Sequence, residues 1–391
     1  MRNEDKLIFI LSRANLDGNE ATQTEKLLKA NLDWDYISRK SQEERVSCLI
    51  YHHLNNAEFK DYVPEHILEQ WKNIYYTNSV RNTVIGEEAK KILKIFDEEK
   101  IKVIVLKGVF LAETIYKNIA LRPFTDVDIL IKKEDLYAAD KILNSLGYPS
   151  PPYYPDALKS SSLSSINTLV YGKKDSTHFF IHLHWHLINS IWPIDFLVTK
   201  IDMEKIWSEA EPNKIDGIDC LTLAPHYLLI YLSEHSFTHS FDRSILLSDI
   251  SWVLRYYKNR LNWNLVVREA KRFNLSLVLY YSLCFTSKLL NIEIPELRSI
   301  RLDKFGFLKK MSDFFICKGI RCYWLSYFIY FFMPKDFLSQ IKFISKSIFP
   351  PPYVMAHGFN LPLSKINASH YYQRIVRNRF KFLNLYYWYK K

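Results

Sequence analysis

IKVIVLKGVFLAETIYKNIALRPFTDVDILI, residues 101–131, is the stretch around which the rest of the chain is organised. Its first apolar run, 103–106, reads as a short strand of the buried type and ends at Lys107-Gly108. Residues 108–117 predict a helix. Arg122 follows, then Asp126 and Asp128 within a second apolar run whose strand is expected over 127–131. Two carboxylates at i and i+2 of a strand point to the same face. Carboxylates on one buried face repel and must be paired, protonated or bound to a metal. The stretch therefore asks for a cation.

Upstream, apolar residues at three- and four-residue spacing predict helices over 25–32, 34–54 and 65–96. Asp33 is the expected N-cap of the second. In the third, Ile67, Trp71, Ile74, Val80, Val84, Ile92 and Phe96 mark one face. Downstream, a helix over 134–146 ends at Gly147, and a Pro- and Ser-rich loop runs over 149–165. Strands are expected over 168–171 and 179–185, joined by the turn GKKDS at 172–176. Helices return over 225–235, 246–257, 264–273 and 276–289, with Asn262 before Trp263 repeating the Asp33-Trp34 cap. A helix over 314–333 is stopped by Pro334, FPPPY at 349–353 is a turn, and 371–389 reads as a basic amphipathic helix.

This order predicts an α+β fold: a helical region 1–98, a small mixed-sheet core 99–195, a helical domain 196–300 and a basic, aromatic helical region 301–391. Only 9 of 391 residues are Gly, which argues against dinucleotide folds built on Gly-rich phosphate loops. The formal charge of +11 is uneven: residues 301–391 hold 16 Lys and Arg against 3 Asp and Glu, a net of +13, which leaves −2 for the first 300. The basic tail reads as helices packed on the body with a solvated basic face, or as a peripheral contact with an anionic surface. Five scattered cysteines without CxxC spacing suggest reduced thiols and a cytoplasmic protein. The apolar run near Met1 is too short for a signal peptide. The longest apolar run, 322–333, is well below the roughly 20 residues that span a bilayer, so no transmembrane segment is expected.

Paired strand aspartates beside a Lys-Gly turn at a helix start suit phosphoryl transfer to a hydroxyl. That chemistry needs carboxylates to hold a divalent metal against a triphosphate and a backbone-lined turn to receive phosphate. The stretch resembles the core of the nucleotidyltransferase-fold superfamily. More closely, it resembles an uncharacterised bacterial nucleotidyltransferase family reading LKG…Y…R…D-x-D-hydrophobic, followed by a helix ending in Gly-Tyr, here Gly147-Tyr148. The likeness continues through His182-Leu183-His184-Trp185, LAPHYLLIYLSEH at 223–235 and LLSDISWVL at 246–254, and spans roughly residues 30–300.

The resemblance implies that Lys107 and Gly108 form the phosphate turn and that Asp126 and Asp128 are metal-binding carboxylates. The Lys-Gly form is typical of this branch and of abortive-infection toxin relatives. Arg122 falls on the basic residue ahead of the pair: a triphosphate contact, a brace for the aspartates, or a structural salt bridge. The superfamily's third carboxylate position is held here by His182, which could serve as metal ligand and base, could shift preference from Mg²⁺ towards Mn²⁺, or could mark a weakened enzyme. Strand alternation puts His182, His184 and His186 on one face. His184 matches the family's His, in the active site or one layer behind it, and His186 reads as a strand-end surface residue. A second constellation, His226, His235, His239, Asp242 and Asp249, has spacing suggestive of a metal, although a core His is the blander reading. Glu234, His235 and Asp249 match family positions, which implies a role in a substrate or base pocket.

The function expected is therefore metal-dependent transfer of a nucleotidyl group from an NTP to a hydroxyl or phosphate of a sugar, peptide, protein or RNA. Two alternatives stand beside it: a weakened nucleotide-binding scaffold that uses its basic tail, and a toxin-like nucleotidyltransferase acting on tRNA or protein.

Overall fold

The computed structural model describes residues 1–16, 18–56, 58–154, 166–173, 179–188, 194, 197, 200–300, 314, 325–334 and 336–383. Most of the loop expected over 149–165, most of the turn at 172–176, residues 315–324 of the helix at 314–333 and the last residues of the helix at 371–389 lie outside the described residues.

Helices α1 (Asn3–Leu11), α2 (Gly18–Leu28), α3 (Trp34–Glu43), α4 (Ser47–Leu54) and α5 (Glu65–Glu98) form the N-terminal layer. Asp33 caps α3 by accepting the Tyr36 N–H at 2.9 Å. One expectation for α5 is corrected: Val80 and Val84 are exposed, and the inward face carries Asn78 and Asn82 instead. The Asn78 amide donates to Ala120 O at 2.7 Å, and the Asn82 amide to Ile119 O at 2.6 Å and Arg122 O at 2.9 Å. The loop before Asp126 has no ladder to satisfy its carbonyls, so polar amides serve better at this face than valines.

Among the described residues, six strands form one mixed sheet in the order β3-β4-β2-β1-β6-β5. They are β1 (Ile104–Val105), β2 (Asp126–Leu130), β3 (Thr168–Gly172), β4 (Phe180–His184), β5 (Glu211–Ile215) and β6 (Ile218–Thr222). β2 runs antiparallel to β1 and parallel to β4, with Asp128 opposite His182. The register that places these two side by side is the main product of the fold. β3 edges the sheet antiparallel to β4. Helix α6 (Leu136–Ser145) follows β2, and α7 (Met203–Ser208) precedes β5.

The sequence reading placed only helices over 200–300. Residues 211–222 instead form the β5–β6 hairpin, whose turn residues Asp216 and Gly217 have φ of +43° and +86°. Positive φ at both central residues is the turn geometry that matches the twist of a two-stranded ribbon. β6 then adds to β1 in parallel, Leu221 opposite Ile104. The helix expected over 108–117 is also shorter, with π-type bonding over Leu111–Ile115 and Lys117 turning away at φ +54°.

Helices α8 (Pro225–Thr238), α9 (Ser244–Tyr256), α10 (Trp263–Arg272) and α11 (Ser276–Leu290) cover one side of the core. Asn262 caps α10, accepting the Leu265 N–H at 3.2 Å. α8 is buried on almost every side, as its apolar composition requires. The C-terminal region adds α12 (Leu325–Phe332), α13 (Phe337–Ile348), α14 (Pro352–Phe359) and α15 (Ala368–Leu383). α12 seats on α8, with the Tyr330 ring 5.2 Å from Phe237. α14 lies by the Tyr153 segment, with the His357 ring 5.1 Å from Tyr153. The architecture is α+β, a mixed sheet between helical N- and C-terminal regions. Among the described residues, no helix is long and apolar enough to cross a membrane.

Candidate active site

Asp126 opens β2 and Asp128 lies two residues on, fully buried. The Lys107 ammonium stands between them, 2.6 Å from Asp128 Oδ2 and 3.6 Å from Asp126 Oδ2. The cation that the sequence asks for is thus supplied first by the chain itself. Burial alone would lower the Lys107 pKa, but Asp128 and Asp126 overcome it and the net shift is upward. Burial likewise works against charge on Asp128. Lys107 and the bonds from His182 and His184 outweigh it and hold the carboxyl well below its ordinary range.

Gly108 follows Lys107 at φ +63°, and a Cβ there would stand 3.0 Å from Asp126 O. The tight turn at the end of the first strand therefore requires glycine on two counts, conformation and approach.

The two histidines of β4 divide their work. His184 is fully buried, with Nε2 3.1 Å from Asp128 Oδ1 and Nδ1 hydrogen-bonded to Thr168 Oγ1. Burial lowers its pKa against the pull of Asp128, which favours the neutral ring with one N–H. An ionised carboxylate only accepts, so Nε2–H donates to Asp128 and Nδ1 accepts from Thr168. His184 is therefore a positioning residue one layer behind. Thr168 completes this relay, and its only sequence signal was a place on the adjoining strand. His182 is partly open, with Nδ1 3.5 Å from Asp128 Oδ1 and 3.6 Å from Asp126 Oδ2. Burial would lower its pKa, but the bond to Asp128 and the charges of both aspartates raise it. His186 is buried, and its Nδ1 accepts the Ile188 N–H at 3.1 Å, so it is a strand-end structural residue and not a surface one.

The ligand atoms of Asp128, His182 and His184 lie within 4.8 Å of one another. This converging set has His184 where the sequence reading had Asp126, whose carboxylate stands beside it within 3.6 Å of His182. Carboxylate oxygens and an open imidazole nitrogen fit a divalent ion.

Arg122 is buried and grips Asp249 of α9 with two bonds, Nε to Oδ1 at 2.7 Å and Nη2 to Oδ2 at 2.8 Å. Tyr116 donates to the same Asp249 Oδ1 at 2.9 Å. Of the three roles open to Arg122, this geometry is that of a bidentate ion pair that fixes the loop before β2 to α9.

The second constellation disperses. Asp249 holds Arg122, and His226 lies 3.2 Å from Glu209 at the start of α8. His235 and His239 stack edge to face at 4.7 Å on the side of α8 that faces the aspartates. Burial pushes both pKa values down, and the Lys107 charge adds to the effect. Tyr231, one turn earlier, carries a buried hydroxyl without a hydrogen-bond partner among the described residues, within the field of Asp128 and Asp126. His357 of α14 is held down to about 4 by burial and by the charge of His182. Neither Tyr231 nor His357 stood out in the sequence, since nothing local ties α8 or α14 to β2.

No curated protein and no solved structure matches the chain significantly. The model of a family described as uncharacterised nucleotidyltransferase matches residues 30–291, two thirds of the chain. That span runs from the cap of α3 to the end of α11 and takes in every residue of the site built above, His357 excepted. The chain belongs to this uncharacterised nucleotidyltransferase family.

Proposed function

We propose that the protein transfers a nucleotidyl group from an NTP to a hydroxyl or phosphate acceptor, with the chemistry centred on Asp126 and Asp128. The observation that carries this reading is the pair of carboxylates on one strand face beside the Lys107-Gly108 turn, with a partly open His182 across the register. Bound by Asp126 and Asp128, a divalent ion would neutralise charge on the triphosphate and leave the free nitrogen of His182 for the acceptor. The chain's own residues account for the rest. His184 and Thr168 fix the orientation of Asp128. Lys107, relieved of the aspartates, offers its charge and the adjoining turn to phosphate. His182 is the ring that an acceptor can reach, and it takes the hydroxyl proton as oxygen bonds to the α-phosphorus and pyrophosphate leaves.

The test is turnover of α-labelled ATP, CTP, GTP and UTP with Mg²⁺ or Mn²⁺, read as pyrophosphate release with candidate sugar, peptide, protein and RNA acceptors. Asp126→Asn should slow release by about 10² or more, the scale of losing one electrostatic stabiliser. Equal rates in wild type and variant would show that the site is wrong.

One observation favours the second reading, a nucleotide-binding protein without turnover. Lys107 already pairs with Asp128 at 2.6 Å and offsets one of the two negative charges, and a divalent ion must displace it. A toxin-like role shares the same site and is distinguished by growth arrest that the Asp126 variant lacks. Cys48 and Cys220 form no disulfide among the described residues, in keeping with the reducing compartment, the cytoplasm, proposed from the sequence.

The C-terminal region is proposed to touch an anionic lipid surface. Phe337, Ile341, Ile344 and Ile348 of α13 are all exposed, and their spacing puts them within about 60° of one another around the helix. Lys342 and Lys346 lie on its other side, in a region of net charge +13. An apolar stripe backed by cations suits a helix lying in a bilayer interface.

A further inference from the structure

A cavity of about 520 Å³ opens between the α3–α4 turn, the middle of α5 and the residues just before β2. That volume is in the range of small-molecule sites. Its polar lining includes Arg45, Arg81, Gln70, Asn73, Thr77 and Thr125. Two guanidinium groups face the cavity, and among the described residues no carboxylate lines it.

Neither arginine has a carboxylate at ion-pair distance among the described residues, and the charges of Asp126 and Asp242 act on Arg45 from farther off. The Arg45 side chain forms no hydrogen bond or ion pair among the described residues, and its backbone sits at φ +57°, a conformation that a non-glycine residue rarely adopts. Arg81 donates from Nη2 to Asn78 Oδ1 at 2.6 Å, while its Nε is buried without an acceptor among the described residues. Burial and mutual repulsion both lower the Arg81 pKa, and burial lowers that of Arg45. Leaving two such groups together costs free energy unless an anion joins them. The rest of the lining mixes amide and hydroxyl groups with Cys48, Ile74, Pro123 and Phe124, so the polar groups beside the two arginines suit an oxyanion at one part of a partly apolar cavity. The cavity also adjoins the aspartates, because Thr125 precedes Asp126 and the Asp126 charge acts on Arg45.

We propose that this cavity is a phosphoryl-group site, in which Arg45 and Arg81 grip a phosphate carried by one of the two substrates. Arginine forks match the geometry of phosphate oxygens, and a tetrahedral oxyanion has enough lone pairs for the surrounding amides and hydroxyls. The phosphate belongs either to the polyphosphate tail of the NTP or to a phosphorylated acceptor. The identity of that second substrate rests on the nucleotidyl-transfer reading; the site itself does not.

Calorimetric titration of the full chain with inorganic phosphate and with pyrophosphate, in the absence of metal, tests the site. Arg45→Met and Arg81→Met should each weaken binding by about ten- to a hundredfold. Arg81→Met also frees Asn78, whose amide holds Ala120 O, so Thr77→Glu is the cleaner companion. Thr77 is exposed on α5, and a carboxylate there should abolish binding while the urea midpoint does not fall, since the new charge offsets the arginines. Wild type that binds phosphate and pyrophosphate no more tightly than Thr77→Glu does would overturn the proposal. A non-hydrolysable NTP then separates the sources. Affinity that falls in step in these variants assigns the site to the triphosphate tail, and NTP affinity that is unchanged while phosphate binding is lost assigns it to the acceptor. Asp126→Asn should keep phosphate binding. Failed turnover with intact phosphate binding therefore counts against the activity and not against the cavity.

Discussion

Asp128, Lys107, His184 and Thr168 form a buried chain of charges and hydrogen bonds, and Asp126 stands at its open end. The two aspartates therefore differ in what they do for the fold. Asp128→Asn leaves the buried Lys107 ammonium without its 2.6 Å partner and should destabilise the metal-free protein by about 3–5 kcal/mol. Asp126 keeps a quarter of its side chain in solvent, and Asp126→Asn should cost less than about 1 kcal/mol. Urea unfolding of both variants checks this, and equal losses would mean that Lys107 does not discriminate between them. The pair itself was legible in the sequence because a strand's two-residue period fixes it. Lys107 as the resident cation was not, because only the antiparallel register brings the end of the first strand against Asp128. The split between His182 and His184 was also hidden, since both lie on one face and only burial and Thr168 separate them.

At the scale of elements, α8 brings Tyr231, His235 and His239 towards the aspartates and buries Glu234 on another side. Burial raises the Glu234 pKa to about 7 from 4.5, although Thr238 and Tyr330 donate to it. Below pH 4.5 the folded and unfolded states are both protonated at this group. Between about 4.5 and 7 the unfolded chain ionises while the folded one keeps its proton, so stability falls as pH rises. The full loss is about 3 kcal/mol above pH 7. Glu234→Gln should remove this component, so its stability should drop less than that of wild type between pH 5 and pH 8, by about 2–3 kcal/mol. Parallel pH profiles of the urea midpoint would show that Glu234 is ionised at both pH values. The amphipathic α10 was readable from the sequence, and so was the start of α3, although the helix expected over 34–54 breaks at Arg45 into α3 and α4. The β5–β6 hairpin was missed although Asp216-Gly217 is a strong turn signal, because the strands alternate weakly and their pairing partner, β1, is over a hundred residues away. The inward asparagines of α5 were missed for a related reason: their partners are carbonyls of a distant loop.

For the molecule as a whole, the sheet and its helical layers hold a site over residues 107–239, while the last ninety residues carry the positive charge. The docking of α14 beside Tyr153 could not be read locally, since it joins residues two hundred positions apart. The exposed stripe of α13 makes a separate prediction. Vesicles with about 30% anionic lipid should co-sediment the protein, Ile341→Asp should weaken that by about tenfold or more, and neutral vesicles should bind poorly. Equal binding of wild type and Ile341→Asp would remove α13 from the contact. The central claim is that Asp126 and Asp128 form a divalent-metal and nucleotide site. It is tested most directly by calorimetric titration of a non-hydrolysable NTP into wild type and Asp126→Asn, with and without Mn²⁺. The account predicts that Mn²⁺ strengthens nucleotide binding in wild type and does nothing in Asp126→Asn, whose fold is unchanged. The same Mn²⁺ enhancement in both proteins, or none in either, would contradict it.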